Sequence, residues 1–223
     1  MSAPLALVTG ASRGLGREVA RHLAEEGFKV LAGVRTPATM KPLPGVEVLP
    51  LDVSDPASIA SAAAFVKAQY GHLNVLVNNA GILLDDATGL MELTVDLLRR
   101  TLETNAIGPL LLVQAFAPLM GKGSRIVNVS SAGGQLSRPS TWSPAYCISK
   151  TTLNAITVQL AAALKPRGIA VNAVCPGWVR TDMGGPGAPR SLQQGADSIL
   201  WPVLKADASI TGGFWQDGKR LEW

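Results

Sequence analysis

Short apolar runs recur along the chain, each closed by a polar or glycine-rich break and followed by a stretch with apolar residues at helical spacing. The first run, Leu5-Ala6-Leu7-Val8, breaks at Thr9-Gly10 into a turn with glycines at 10, 14 and 16, after which Val19, Ala20, Leu23 and Ala24 mark a helix reaching Glu26. Phe28 to Val34, Val46 to Leu51, Leu73 to Val77, Ser124 to Val129 and Ile169 to Val174 read as further strands. Gly27, Gly71 and Gly168 are stop signals for the helices before them. Asp55-Pro56 reads as an N-cap with proline in the first helical position, opening a helix that runs to about Tyr70. Two longer helices are predicted, from Thr94 through Asn105 to about Met120 and from Pro144 to Lys165. The connection from Thr36 to Gly45 carries Pro37, Pro42 and Pro44, so it holds a loop or a single turn rather than a helix.

Strands alternating with helices predict an α/β fold, a doubly wound parallel sheet of about seven strands covered on both faces. At 223 residues it fits one domain over 1–223. Ligands of such sheets sit at the carboxyl edge of the strands. The polar clusters at 10–16, 35, 52, 78–81, 130–131 and 176–181 all fall just after a strand. A helix that begins directly after a glycine turn presents unpaired amides and a positive dipole end, which suits a pyrophosphate. The same glycines can also serve only to pack a crossover.

Composition narrows the classes. Hydrophobic residues make up 47% and charged residues 16%, below the roughly 25% charged content of ordinary globular chains. The net charge is +4, but the basic residues are scattered, which points away from a nucleic-acid face. Cys147 and Cys175 form no metal spacing or disulfide framework and read as small buried hydrophobes. The first strand begins almost at once, leaving no room for a signal peptide, and no stretch is apolar enough to span a bilayer, so a cytoplasmic location without membrane partners is expected. His22 and His72 read as surface residues, and the acid pairs Glu25-Glu26 and Asp85-Asp86 are assigned to solvent.

A site for an unphosphorylated dinucleotide usually places an acid about 20 residues after the glycine turn. None occurs between Glu26 and Glu47. Arg35 ends the second strand and Arg13 sits inside the glycine turn, and two guanidiniums suit a 2′-phosphate, although either could be a solvated surface residue.

Tyr146 and Lys150 stand four apart on one helix face. A neighbouring ammonium favours the ionised phenol, so the pair is expected to form an acid that works near neutral pH. Ser131, just past a strand, is placed either to polarise a carbonyl or to cap its loop. Asn105 interrupts an apolar helix, as a satisfied core amide or a site residue.

The set Thr9-Gly10, Gly14, Gly16, Asn78-Asn79-Ala80-Gly81, Asn105, Ser131, Tyr146, Lys150 and Pro176-Gly177 resembles the short-chain dehydrogenase/reductase family, with its Rossmann fold, over nearly the whole chain. The stretches 127–131 and 175–183 and the ending 219–223 are more narrowly similar to NADPH-dependent carbonyl reductases. The resemblance implies that Tyr146 donates a proton, Lys150 tunes it and holds the nicotinamide ribose, Ser131 orients the substrate oxygen, and Asn105 positions a water. It further implies cofactor contacts at Gly10, Ser12, Arg13, Gly14, Leu15, Gly16 and Arg35, with Asp52 and Val53 on the adenine, Asn79, Ala80 and Gly81 on the ribose, and Pro176, Gly177, Val179 and Thr181 towards the carboxamide.

The implied cofactor is NADP, as NADPH, and the reaction is reduction of a small ketone or aldehyde to an alcohol. The rivals are the same residues run as an alcohol dehydrogenase, and a nucleotide-sensing regulator without turnover. Gln135, Trp142, Trp178 and Met183 are expected around an apolar substrate, though the tryptophans could equally be packing, and 178–190 reads as a mobile lid. The family's extra helical insertion between Ser131 and Tyr146 is absent, which together with the apolar faces of the two long helices implies a homodimer or homotetramer.

Overall fold

The computed structural model describes residues 3–86 and 88–223. Its strands are β1 (Leu5–Thr9), β2 (Lys29–Val34), β3 (Val46–Pro50), β4 (Val75–Asn78), β5 (Arg125–Val129), β6 (Ala170–Val174), β7 (Phe214–Gln216) and β8 (Lys219–Leu221), forming one sheet in the order β3-β2-β1-β4-β5-β6-β7-β8. Successive strand residues point to opposite faces, so each apolar run feeds two cores. Leu5, Leu7, Leu31, Leu76 and Ile126 pack on one face beneath Ile59, Val66, Leu112 and Phe116. Ala6, Val8, Val30, Val77 and Val127 pack on the other against Val19, Leu23, Ile199 and Leu200. A fully buried side chain of the Phe116 kind contributes about 1.5–3 kcal/mol by leaving water.

The helices are α1 (Gly14–Glu25), α2 (Pro56–Gln69), α3 (Val95–Leu102), α4 (Gly108–Phe116), α5 (Pro144–Leu164) and α6 (Leu192–Leu204). Asp55 caps α2 as its sequence predicts, its carboxylate accepting from the Ala57 amide at 2.9 Å. The connection after β2 contains a single 3-10 turn, Pro37–Thr39, and the Arg17 guanidinium ties its far end by donating to the Lys41 and Pro42 carbonyls. No helix among the described residues is long and apolar enough to cross a membrane.

The doubly wound, mostly parallel sheet is the expected one, with one strand added at its edge, while the long helix through Asn105 needs correction. Sheet neighbours are parallel except β7 and β8, which run antiparallel and bring the count to eight strands. Asp217 and Gly218 turn that hairpin with φ of 52° and 76°, the pair of positive values its tight turn demands. The helix through Asn105 is not continuous: α3 and α4 are joined by a π-turn, Glu103–Ile107, in which the Gly108 amide reaches back to the Glu103 carbonyl. Gly108 leaves no room for a side chain there, because a Cβ would lie 2.4 Å from the Val53 carbonyl oxygen.

Strand order reverses between β1 and β4, and Thr9 fastens the two together. Its hydroxyl accepts from the Asn79 and Ala80 amides, both at 3.0 Å. Further along, a buried polar row crosses from sheet to helix: Asn78 Nδ2 donates to Asn128 Oδ1 and Asn128 Nδ2 to Thr157 Oγ1, each at 2.8 Å.

Candidate active site

At the reversal point the glycine turn runs into α1, whose first turn contains no acid and whose N-terminus no side chain caps among the described residues. The amides of Gly14, Leu15 and Gly16 therefore open onto the carboxyl edge of the sheet, and an anion fits there. The glycines are sterically required as well. Gly10 has φ of 66°, and a Cβ on it would lie 2.8 Å from Ala80 Cα; on Gly16 it would lie 2.4 Å from Asn79 Nδ2. Asn79 also donates to the Thr9 carbonyl at 2.9 Å, so its amide group braces the turn. Ser12 is partly exposed beside Arg13. Thr181 closes the turn from above, within 3.8 Å of a Cβ placed on Gly14.

On the other side of the turn Arg35 is exposed at the end of β2. Burial raises the Asp52 carboxyl, but hydrogen bonds from Ser54 and the charge of Arg35 outweigh it and hold the group below its usual value. Val53 is buried next to it. Arg13 is exposed too and pairs with Asp182 at 2.7 Å, a contact between the glycine turn and the 178–190 segment.

Helix α5 brings Tyr146 and Lys150 to the same edge. Lys150 is buried and donates to the Val129 carbonyl at 2.8 Å, while its Nζ lies 5.5 Å from the centre of the Tyr146 ring. A Cβ on Gly81 would lie 3.3 Å from Asn105 Oδ1 and 3.6 Å from Lys150 Nζ, which puts that loop, the π-turn and α5 in one place. Ser131 accepts from the Gly133 amide at 3.1 Å, capping its loop, and its hydroxyl acts on the Tyr146 phenol against the effect of burial.

Electrostatics here depart from the expectation of a phenol drawn toward ionisation. Burial pushes the Tyr146 phenol up to about 12, with the Ser131 hydrogen bond opposing the shift. Burial also lowers the Lys150 ammonium to about 8. Desolvation thus outweighs the attraction inferred from their spacing, and the protein's own groups keep Tyr146 protonated at neutral pH.

Asn105 is fully buried in the π-turn, with its side chain taken up by the Ile82 amide, the Ile82 carbonyl and the Ser149 hydroxyl. Its backbone carbonyl is another matter. Pro109 has no N–H to offer, so the ordinary α-helical bond to that oxygen cannot form.

Pro176 and Val179 are buried after β6, and Gly177 has φ of 77° with Arg190 packed against it. The 178–190 segment is cross-braced rather than open. The Arg180 amide donates to the Arg190 carbonyl and the Arg190 amide to the Trp178 carbonyl, the Trp178 indole donates to the Gly184 carbonyl at 2.7 Å, and Thr181 accepts from the Gly184 amide. Trp178 and Met183 stand on its outside, 60% and 48% exposed. Trp142 packs edge-on against Tyr146 with ring centres 5.8 Å apart.

Gln135 is mostly buried in the loop after β5. Its amide donates to the Glu222 carbonyl at 2.9 Å, holding the C-terminal strand to the loop after β5. Asp85, assigned to solvent from its sequence, is instead fully buried, while Asp86 beside it is exposed. The Asp85 carboxylate accepts from the Ala145 amide at 2.6 Å, a contact between residues too distant in the chain for any local pattern to reveal.

This arrangement of glycine turn, strand reversal and Ser-Tyr-Lys edge defines an oxidoreductase of the dinucleotide-binding α/β class. The chain belongs to the short chain dehydrogenase family, whose model matches residues 4–190. It is 34% identical to a (+)-neomenthol dehydrogenase of Arabidopsis thaliana in an alignment 289 positions long, gaps included, covering 97% of this chain and 96% of that protein. With carbonyl reductase (NADPH) 1 of Sus scrofa it shares 32% identity, covering 98% and 94%. Among solved structures, the NADPH-bound carbonyl reductase from chicken fatty liver superposes with a TM-score of 0.88 at 30% identity, and the carbonyl reductase Sniffer of D. melanogaster with 0.89 at 28%; in both pairs each chain is covered completely.

Proposed function

We propose that the protein reduces an apolar ketone or aldehyde to an alcohol with NADPH, using Tyr146 as proton donor. The convergence of Tyr146, Ser131 and Lys150 beside an uncapped, glycine-lined helix start carries the reading. The names of the relatives, carbonyl reductases and a neomenthol dehydrogenase, agree with it.

NADPH, when bound, supplies the hydride that reaches the carbonyl carbon. The turn at 10–16 and the α1 amides would hold its pyrophosphate, Arg13 and Arg35 its 2′-phosphate, Asp52 and Val53 the adenine, Asn79, Ala80 and Gly81 the ribose, and Val179 and Thr181 the carboxamide. Ser131 holds the substrate oxygen in hydrogen-bonding reach of the phenol, and Tyr146 gives that oxygen its proton. A phenol raised by burial is protonated at neutral pH, the form that donation requires. Lys150 would hold the ribose and offsets the charge left on Tyr146, while the Asn105 carbonyl, which Pro109 cannot reach with an N–H, accepts from a water that returns the proton. Trp142, packed against the Tyr146 ring, would give the substrate an apolar wall, with the exposed Trp178 and Met183 as further apolar surface on the neighbouring segment. The direct test is loss of the near-ultraviolet absorbance of NADPH against a panel of aromatic and alicyclic carbonyls; no turnover with any of them defeats the proposal.

Two expected results follow from the same residues. Because Lys150 is charged below about pH 8 and loses its proton above, kcat/KM for reduction should be level at neutral pH and fall above about 8, a limb missing from the residual activity of Lys150→Met. A profile level to the alkaline limit of folding would contradict the role given to Lys150. The chain also pairs with itself through the outer faces of α3 to α5, where Ile107, Ile148 and Val158 are exposed. Light scattering at micromolar concentration should give a dimer or tetramer, and a monomer refutes it.

A further inference from the structure

Among the described residues Asp85 is the only buried acidic side chain, and the reaction as proposed makes no use of it. What it touches is the start of α5. Pro144 opens that helix and has no N–H, so the first amides in need of an acceptor belong to Ala145 and Tyr146. The local candidate is Ser143, in the cap position. A capping serine normally has extended backbone. Ser143 has φ of 44° and ψ of 69°, in the left-handed region, and among the described residues its side chain makes no capping bond. Asp85 Oδ2 stands in for it, accepting from Ala145 at 2.6 Å and reaching Tyr146 at 3.4 Å. Its negative charge also lies at the positive end of the helix dipole.

The other end of the Tyr146 residue is held from the same loop. Its carbonyl accepts from Ser149 Oγ at 2.7 Å, Ser149 accepts from Asn105 Nδ2 at 3.0 Å, and Asn105 Oδ1 accepts from the Ile82 amide at 2.8 Å. The loop after β4 therefore grips Tyr146 at its N–H through Asp85 and at its carbonyl through Asn105 and Ser149.

We propose that Asp85 is a positioning residue for Tyr146, fixing the first turn of α5 so that the phenol stays in register with Ser131 and Lys150. It does not touch substrate or cofactor. The role rests on Tyr146 being the proton donor. A cap that served stability alone would lower the melting temperature and leave kcat per folded molecule unchanged, whereas a positioning residue changes kcat well below the melting temperature.

The experiment compares Asp85→Ala, Asp85→Asn and Tyr146→Phe with wild type, following kcat, the NADPH dissociation constant by fluorescence, and amide hydrogen exchange in the peptide 144–149. Asp85→Ala should lose about tenfold or more in kcat, as small misplacements of a reacting group do. Its NADPH affinity should stay within about twofold, since only the proton-transfer step is disturbed. Exchange in 144–149 should quicken by about tenfold as the turn opens. Asp85→Asn, which keeps an acceptor oxygen, should recover most of the kcat and most of the protection. Unchanged kcat in Asp85→Ala overturns the proposal, and so does a fall in kcat matched by an equal loss of NADPH affinity. Should Asp85→Ala fail to fold, Asp85→Glu decides: the displaced carboxylate must lower kcat at unchanged NADPH affinity, and wild-type kcat overturns the proposal. If Tyr146→Phe retains turnover, the donor assignment is what has failed, while the exchange rates still report whether Asp85 holds the turn.

Discussion

Tyr146→Phe should fold, bind NADPH as tightly as wild type and lose about two to four orders of magnitude in kcat, the usual contribution of a positioned general acid. The substitution removes one oxygen from a side chain that is 8% exposed and leaves the ring in contact with Trp142. No packing volume is lost, and the Ser131 hydroxyl left behind still accepts from the Gly133 amide. Loss of activity with an intact NADPH titration and an unchanged melting curve therefore isolates the proton. Activity within a few-fold of wild type would mean that another group, or solvent, protonates the substrate oxygen.

The second large effect concerns cofactor choice. Wild type should prefer NADPH, and Arg35→Asp should reduce kcat/KM for NADPH by one to two orders of magnitude, because a hydrogen bond to a charged group is worth about 1.5–3 kcal/mol. The new carboxylate repels a 2′-phosphate and accepts from a 2′-hydroxyl, so the figure for NADH should hold or rise. Arg13 adds a complication that its sequence position does not reveal, since its guanidinium is paired with Asp182. That pair is 78% and 74% exposed, and pairs of this kind contribute about 0–1 kcal/mol, less than a bond to a phosphate. Arg13 should accordingly change partners when NADPH binds, and Asp182→Asn should improve NADPH affinity modestly without altering NADH. A wild-type enzyme that favours NADH, or a preference unmoved by Arg35→Asp, makes Arg35 an ordinary surface residue.

Legibility in the sequence followed the range of the interactions. The turn at 10–16, the Asp55 cap and the single turn at 37–39 are set by neighbours a few residues away, and the pattern identifies them. Local signals for α6 and the β7–β8 hairpin exist, a capping box at Ser191 and Gln194 and the Asp217-Gly218 turn, but Gly195 and Pro202 inside α6 read as breaks and strands of three residues are too short to establish a period. Asp85 and Gln135 belong to a different kind of miss. Their partners, Ala145 and Glu222, lie far along the chain, and nothing beside either residue distinguishes a buried, bonded side chain from a solvated one. The titration of Tyr146 was misjudged for a related reason: spacing reveals the neighbouring ammonium, while the burial that outweighs it is a property of the assembled fold.

The row from Asn78 through Asn128 to Thr157 bears on how this sequence can drift over generations. Each member serves the next, so replacing Asn128 alone leaves the buried Asn78 amide without its acceptor, at about 1–3 kcal/mol, and takes one of two bonds from the Thr157 hydroxyl, which still donates to the Leu153 carbonyl. Replacing all three with alkyl side chains of matching shape carries much less of that penalty, but a lineage changing one codon at a time must pass through the costly intermediates. The three positions are thus inherited as a block, and in descendants of this chain they should be found either all kept or all exchanged.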